Sequence, residues 1–176
     1  MGVDMTKWQE IAREKVNERP AGEGRLAGKI TIVTGAAQGF GRGIAEELHK
    51  EGATVVIADM NYPLAKEVAD GLGDRACAIA VNVTDEESVA AMVQQTVELY
   101  GGLDIMLANA GVVRAGSLAG FEKKDLEFVT SINYTGLFLC AKYAAIIMQA
   151  QQSPQPDVFT VPFNSLLHPG CSVSVG

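Results

Sequence analysis

The stretch ITIVTGAAQGFGRG, residues 30–43, decides the fold because an apolar, β-branched run passes directly into a glycine-rich turn and then into a helical segment. The turn contains three glycines, which allow a tight bend and let the backbone approach a pyrophosphate closely. They are Gly35, Gly39 and Gly41. The following helix would aim its free amides at the phosphates. The unit therefore predicts a dinucleotide site, in which we also expect Gln38 and Phe40 to contact the cofactor.

The same alternation of apolar strands and helical segments continues along the chain. Beyond residues 30–34, the pattern predicts strands at 54–59, 76–81 and 103–108 and helices at 41–52, 63–72, 85–100 and within 124–151. Strands as apolar as TVVIAD and LDIMLAN need cover on both faces, as in a parallel sheet. Thr84, with Glu87 three residues later, predicts a capping box for the helix over 85–100. We predict a doubly wound α/β Rossmann fold with strand order 3-2-1-4 over residues 26–151.

Two flanking regions differ from this pattern. Residues 1–25 contain apolar side chains at helical spacing and predict an N-terminal helical extension. Residues 152–176 form a divergent tail, in which residues 158–163 could add a fifth strand. Pro162 counts against that strand, because a proline removes a donor from the ladder.

Composition excludes several classes of function. The chain has 176 residues, of which 48% are hydrophobic, and its net charge of -7 argues against nucleic acid or an anionic membrane as a partner. Polar residues interrupt the apolar stretch 132–148, so we expect no membrane span. Three widely spaced cysteines and two histidines favour neither a disulfide framework nor a metal site. These features predict a cytoplasmic protein without a bound metal.

Asp59 ends the second predicted strand, 24 positions after Gly35. A carboxylate at that place accepts hydrogen bonds from the ribose hydroxyls of the adenosine and repels a 2′-phosphate. It therefore favours NAD over NADP, a preference that Arg42 tempers only slightly. The alternative is a glycine-rich turn used for packing and an acid used as a turn residue.

The spacing T-G-x-x-x-G-x-G, from Thr34 to Gly41, resembles the short-chain dehydrogenase/reductase family rather than the G-x-G-x-x-G proteins. The resemblance extends over about residues 26–149. It implies that Asn109, Ala110 and Gly111 steady the sheet and line the cofactor pocket, and that Asn82 and Val83 lie against the adenine. It also implies that Asn133 is the helix-borne asparagine that fixes a water in a proton relay. Taken singly, Asn109 and Asn133 could each be ordinary caps.

The resemblance further implies a serine that orients the substrate and a tyrosine whose pKa a lysine four positions later lowers. Ser165 resembles that serine if the fifth strand is real; otherwise it is a loop residue. The chain contains one Tyr-x-x-x-Lys string, Tyr62 to Lys66, which precedes Asn133 and lies beside the adenosine end, so we exclude it as the catalytic pair. The expected tyrosine would come at or just beyond Gly176, so the sequence appears as a truncated or frameshifted copy.

The leading hypothesis is an NAD-dependent oxidoreductase that acts on a small alcohol or carbonyl compound, with a polyol or sugar phosphate as the suggested substrate. A partner chain, as in a homo-oligomer, could cover the sheet edge and the apolar face of the Asn133 helix. Two alternatives stay open: a non-catalytic dinucleotide-binding module and an inactive fragment.

Overall fold

The computed structural model describes residues 2–18 and 23–152, which form an α/β fold with one helix ahead of the first strand. The elements follow in the order α1 (Thr6–Glu14), β1 (Ile30–Thr34), α2 (Gly39–Lys50), β2 (Thr54–Asp59), α3 (Tyr62–Leu72), β3 (Ala76–Ala80), α4 (Glu86–Tyr100), β4 (Ile105–Leu107), a 3₁₀ turn (Leu118–Gly120), α5 (Lys123–Thr130), a π-helical segment (Ser131–Gly136) and α6 (Leu137–Gln152). The expected fifth strand and Ser165 lie outside the described residues.

The four strands form one parallel sheet in the order β3-β2-β1-β4, which confirms the predicted topology. In the register, Ile30 lies opposite Thr54, Thr31 opposite Ile105, and Val55 opposite Ala76. All five residues of β1 are buried, as the apolar run requires when helices cover both faces. Strand β4 is shorter than its predicted range of 103–108.

Alternate residues of the central strands enter two separate cores because successive side chains of a strand point to opposite faces. Ile32 and Val56 join the core beneath α4, α6 and α1. Val33 and Ile57 join the core beneath α2 and α3. The sheet is therefore doubly wound.

The N-terminal segment packs along the helix layer of the first core. Helix α1 lies against α4 and α6 and buries Ala12, and Met5 just ahead of it is also buried. The backbone N–H of Val3 donates to the Tyr143 hydroxyl at 3.2 Å, and that hydroxyl donates to Oε1 of Glu86 at 2.8 Å. The N-terminal segment therefore packs on α4 and α6, on the same face of the sheet as these two helices.

Glu86 also accepts a hydrogen bond from Lys142 Nζ at 2.6 Å. The Lys142 ammonium, followed by the Tyr143 hydroxyl, lowers the pKa of Glu86 below its usual value. The charged carboxylate therefore persists at neutral pH and ties the start of α4 to α6. Lys142 and Tyr143, which are adjacent in sequence, thus both serve this junction.

Two local expectations were wrong in detail. The N-cap of α4 is Asp85, whose carboxylate accepts from the N–H of Glu87 at 3.0 Å, so Thr84 forms no capping box. The Asp85 side chain caps the helix one residue later, while Thr84 bonds to Asn82. The long helix within 124–151 exists, but its continuous path contains the π-helical segment, which the regular apolar spacing did not indicate.

By length and composition, the helical run Lys123–Gln152 could cross a membrane, and 33% of its apolar window is buried. The α6 part of this run contributes Tyr143, Ala144 and Ile147 to the core beneath the sheet. A core helix of a globular domain passes the same length and composition test.

We predict that Tyr143→Phe destabilises the protein by about 1 to 2 kcal/mol, because the fully buried hydroxyl bonds the Val3 amide and leaves it unpaired when removed. Urea denaturation followed by circular dichroism measures the change. Tyr134→Phe is the matched control, since the Tyr134 side chain is exposed and the same substitution there should leave the free energy of unfolding unchanged. Equal effects of the two variants would contradict the role assigned to the Tyr143 hydroxyl.

Candidate functional site

The glycine-rich loop between β1 and α2 leaves the N-terminus of α2 uncapped. Gly35 and Gly39 have φ angles of 67° and 59°, which favour glycine. Gln38 is the N-cap residue, but its side chain makes no capping hydrogen bond. The first amides of this 12-residue helix therefore lack a side-chain acceptor, which is the arrangement that binds phosphate. Phe40, in the first turn, is 90% exposed beside them.

Gly41 lets α2 come into contact with the end of the sheet. A Cβ placed on Gly41 would collide with the carbonyl oxygen of Gly35 and with Nδ2 of Asn109. That Nδ2 donates to the carbonyl oxygens of Thr34 at 3.0 Å and Gly35 at 3.4 Å. The N–H of Ala110 donates to the Thr34 hydroxyl at 3.1 Å. These bonds join the carboxyl ends of β1 and β4 directly beneath the glycine-rich loop.

Asp59 lies beside the same loop, at the end of β2. Its Oδ2 accepts from the N–H of Ala37 at 3.0 Å, and its Oδ1 accepts from the N–H of Asn61 at 2.9 Å. Each carboxylate oxygen can accept further bonds, since an ionised carboxylate has about four lone-pair sites. Arg42, in the first turns of α2, bonds Glu46 on its own helix at 2.7 Å.

Asn82 and Val83 follow β3 in the turn that leads into α4. Oδ1 of Asn82 accepts from the N–H of Thr84 at 3.1 Å and from its hydroxyl at 2.8 Å. The Val83 side chain is buried against Gly136, where a Cβ would lie 2.9 Å from Val83 Cγ2. Gly136 thus allows the start of α6 to approach the turn after β3.

Asn133 lies in the π-helical segment and holds the chain that leaves β4. Its Oδ1 accepts from the N–H of Val112 at 2.8 Å, and its Nδ2 donates to the Val112 carbonyl at 2.9 Å. A Cβ placed on Gly111, just before Val112, would meet Oδ1 of Asn133 at 3.5 Å, which is an ordinary van der Waals contact. A π-helical turn often marks a functional position, because the extra residue redirects a side chain. Here it coincides with the side chain that the sequence resemblance singles out.

The structure therefore groups the predicted residues into neighbouring contacts at the carboxyl ends of the strands. The loop glycines, Asn109 and Ala110 meet at β1 and β4, Asp59 bonds the loop through Ala37, and Asn133 holds the segment after Gly111. By contrast, Lys66 lies on α3, which packs on β2 and β3, and bonds Asp70 at 2.7 Å.

Sequence reasoning missed four residues that build this site: Thr34, Ala37, Val112 and Gly136. Three of them act through the backbone or a hydroxyl, which leaves no periodic signal. Gly136 did carry a signal, because an isolated glycine inside an apolar helix usually has a packing reason.

The family described as short chain dehydrogenase matches residues 29–155. The match includes all four strands of the described residues, the glycine-rich loop and the Asn133 segment. The chain is a member of the short-chain dehydrogenase family.

Several curated proteins are similar to this short-chain dehydrogenase. Tropinone reductase-like 1 of Erythroxylum coca is 43% identical over 132 residues, which are 73% of this chain and 48% of the relative. The (+)-borneol dehydrogenase 1 of Salvia officinalis is 43% identical over 135 residues, 76% of this chain and 52% of the relative. Secoisolariciresinol dehydrogenase of Forsythia intermedia is 41% identical over 127 residues, 70% and 46% of the two chains. The chain thus spans about half the length of these relatives.

A solved structure gives the same result. The 3-ketoacyl-(acyl-carrier-protein) reductase of Brucella melitensis, complexed with NADH, superposes with a TM-score of 0.65 at 34% sequence identity. The similarity covers 66% of this chain and 49% of the reductase. It confirms the Rossmann fold.

We predict that Gly41→Ala weakens NADH binding at least tenfold, because the new methyl group must displace either the Gly35 carbonyl or Asn109. Gly43→Ala, two residues along the same helix, is the matched control, since a Cβ there meets nothing within 4 Å. It should leave binding unchanged and stabilise the fold by about 0.5 to 1 kcal/mol. Fluorescence titration with NADH, together with thermal unfolding, measures both effects. Wild-type affinity in Gly41→Ala would show that the close approach is dispensable.

Proposed function

We propose that this short-chain dehydrogenase is an NAD-dependent oxidoreductase that acts on a small alcohol or carbonyl compound. The observation that carries the proposal is the uncapped N-terminus of α2. Because Gly41 has no side chain, this helix end can contact the ends of β1 and β4. Free helix amides at the switch point of a doubly wound sheet are a site for a pyrophosphate.

The residues present fit a dinucleotide along the sheet edge. The amides at the start of α2 would hold the pyrophosphate, Asp59 the adenosine ribose, and the turn at Asn82 and Val83 the base. When bound, the nicotinamide supplies hydride transfer to or from the substrate carbon. Ala110 and Gly111 would line the nicotinamide side, on the backbone that Asn109 and Asn133 hold in place.

Proton transfer is the finer part of the proposal. Asn133 would position a water for the proton relay, and Ser165 would orient the substrate oxygen. The residue that exchanges the proton would be a tyrosine with a lysine four positions later, which the printed sequence contains only at Tyr62 and Lys66. Lys66 is bonded to Asp70, whose carboxylate raises the pKa of that lysine. The proposed activity therefore requires a tyrosine and a lysine of this spacing next to the nicotinamide. Tyr62 and Lys66 lie on α3 instead.

The proposed cofactor is NAD rather than NADP. A 2′-phosphate would face the Asp59 carboxylate, which the amides of Ala37 and Asn61 hold in position. Like charges brought this close repel each other. Arg42 offers little compensation while its guanidinium is bonded to Glu46.

We expect Asp59→Ala to weaken NADH binding about tenfold, because the variant loses an acceptor for the ribose hydroxyls. NADPH binding should weaken less or become tighter, because the variant also loses the charge that repels the 2′-phosphate. Dissociation constants from fluorescence titration give the ratio. Asp70→Asn removes an exposed acid on α3 and serves as the control for net charge. An equal loss of affinity for both dinucleotides would remove Asp59 from the proposed ribose site.

The proposed substrate class rests on the relatives, which are named as dehydrogenases and a reductase. None of the relatives reported above is named for a polyol or a sugar phosphate, so an alcohol or ketone in general is the better-supported substrate.

Free Cys77 and Cys140 suit a reducing cytoplasm, and burial raises the pKa of the Cys140 thiol to about 11. Exposed Phe128, Leu137 and Phe138 suit a homo-oligomer.

A non-catalytic dinucleotide-binding module is the second candidate. It is favoured by the position of the one Tyr-x-x-x-Lys string, on α3 against β2 and β3. NADH titration of the 176-residue chain, followed by assays with a panel of secondary alcohols and ketones, separates the two. Binding without turnover supports the module, turnover supports the oxidoreductase, and absence of binding overturns both.

A further inference from the structure

The segment that follows β4 carries a single charged side chain. Residues 109–121 read NAGVVRAGSLAGF, and Arg114 is the one ionisable side chain among them. The whole chain has a net charge of -7, so this stretch is locally positive on an acidic protein. Val113 and Leu118 on either side of Arg114 are 87% and 94% exposed. Arg114 is therefore a cation in an exposed and mainly apolar segment.

The guanidinium of Arg114 is held by an aromatic ring. Its central carbon lies 5.0 Å from the centroid of the Phe128 ring, which belongs to α5. Such a cation–π contact is attractive and covers one face of the guanidinium. The N–H donors point outward in the plane of the group, so stacking on a ring leaves them free to bind an acceptor.

The acidic side chains at the start of α5 have partners of their own. Their contacts are Glu127 with Lys123, Glu122 with Lys124, and Asp125 with the backbone N–H of Glu122. Within residues 2–18 and 23–152, no carboxylate forms an ion pair with Arg114. Its charge is therefore open to an anion from outside the chain.

The sheet order relates this cation to the reacting end of a bound dinucleotide. The pyrophosphate is proposed to lie at the start of α2, and the adenosine ribose at Asp59, which ends β2. In the order β3-β2-β1-β4, β2 and β4 lie on opposite sides of β1. The nicotinamide half therefore extends towards β4, whose carboxyl end leads through Gly111 to Arg114. Three residues of chain place the two Cα atoms at most about 11 Å apart.

We propose that Arg114 binds an anionic group of the substrate, a phosphate or a carboxylate, and so selects alcohols and carbonyl compounds that carry one. The inference rests on the proposed oxidoreductase function and deepens it. The planar guanidinium fork matches two oxygens of a phosphate or a carboxylate. Apolar neighbours strengthen such a charge pair, because a substrate that displaces water there lowers the local dielectric constant.

The test measures binding of small alcohols to the chain loaded with NADH. An alcohol and the reduced cofactor cannot react, so the readout needs no turnover. Two matched pairs distinguish the anions: glycerol 3-phosphate against glycerol, and 3-hydroxybutyrate against 2-butanol. NMR chemical-shift titration gives the dissociation constants. We expect the charged member of at least one pair to bind about tenfold more tightly or better, because a charge-assisted hydrogen bond is stronger than a neutral one.

Arg114→Gln keeps a hydrogen-bond donor and removes the charge. In this variant, the charged and uncharged members of the pair should bind within about threefold of each other. Arg114→Lys should retain part of the preference, since an ammonium keeps the charge but lacks the planar fork. Arg13→Gln is the matched control, because it makes the same change at an exposed arginine of α1, which packs on α4 and α6. It should leave the preference unchanged.

Fluorescence titration with NADH separates failure of the inference from failure of the proposed function. If NADH binds but the wild-type chain prefers neither charged compound, or if Arg114→Gln keeps the full preference, the inference is overturned and the dinucleotide site stands. An equal loss of preference in Arg13→Gln also overturns it, because the effect would then come from net charge. If the wild-type chain does not bind NADH, the proposed function is overturned as well.

Discussion

The close approach of α2 to the ends of β1 and β4 is the constraint on which the rest of the site depends. Gly41 touches the Gly35 carbonyl and the Asn109 amide at distances that no side chain would permit. The same Asn109 amide bonds the last residues of β1, so one side chain fixes the strand pair and the helix end together. This contact places the uncapped N-terminus of α2 at the carboxyl ends of β1 and β4.

Much of this arrangement could be predicted from the sequence, because it depends on local pattern. Uninterrupted apolar runs gave the buried strands β1 and β2, and the glycine spacing between a strand and a helix gave the loop. The bonds that tighten the site could not be predicted in the same way. Asn109 reaches Thr34 across 75 residues of sequence, and Asn133 reaches Val112 from a π-helical turn. Such side-chain-to-backbone bonds have no period, and their partners are defined only once the strands are paired.

The helix layer over the first core links the N-terminal segment to the turn proposed to contact the base. Glu86 begins α4 directly after the turn that contains Asn82, and it bonds Tyr143 and Lys142 of α6. Helix α6 in turn begins beside Gly136, which packs on Val83. The N-terminal segment bonds this junction through Val3. The turn proposed to contact the base is therefore held between two helices that the N-terminal segment also contacts.

Binding and chemistry are assigned to different parts of the chain. The residues proposed to hold the pyrophosphate, ribose and base lie in or directly after β1, β2 and β3, within a sheet whose central strands are buried. The segment that follows β4 is different, since most of residues 111–120 are exposed, and Asn133 holds it through Val112. We therefore propose that affinity for a dinucleotide depends on the buried strands, and that the geometry of the nicotinamide end depends on one side chain in a π-helical turn. The two properties can change independently, because no described hydrogen bond joins Asn133 to the glycine-rich loop.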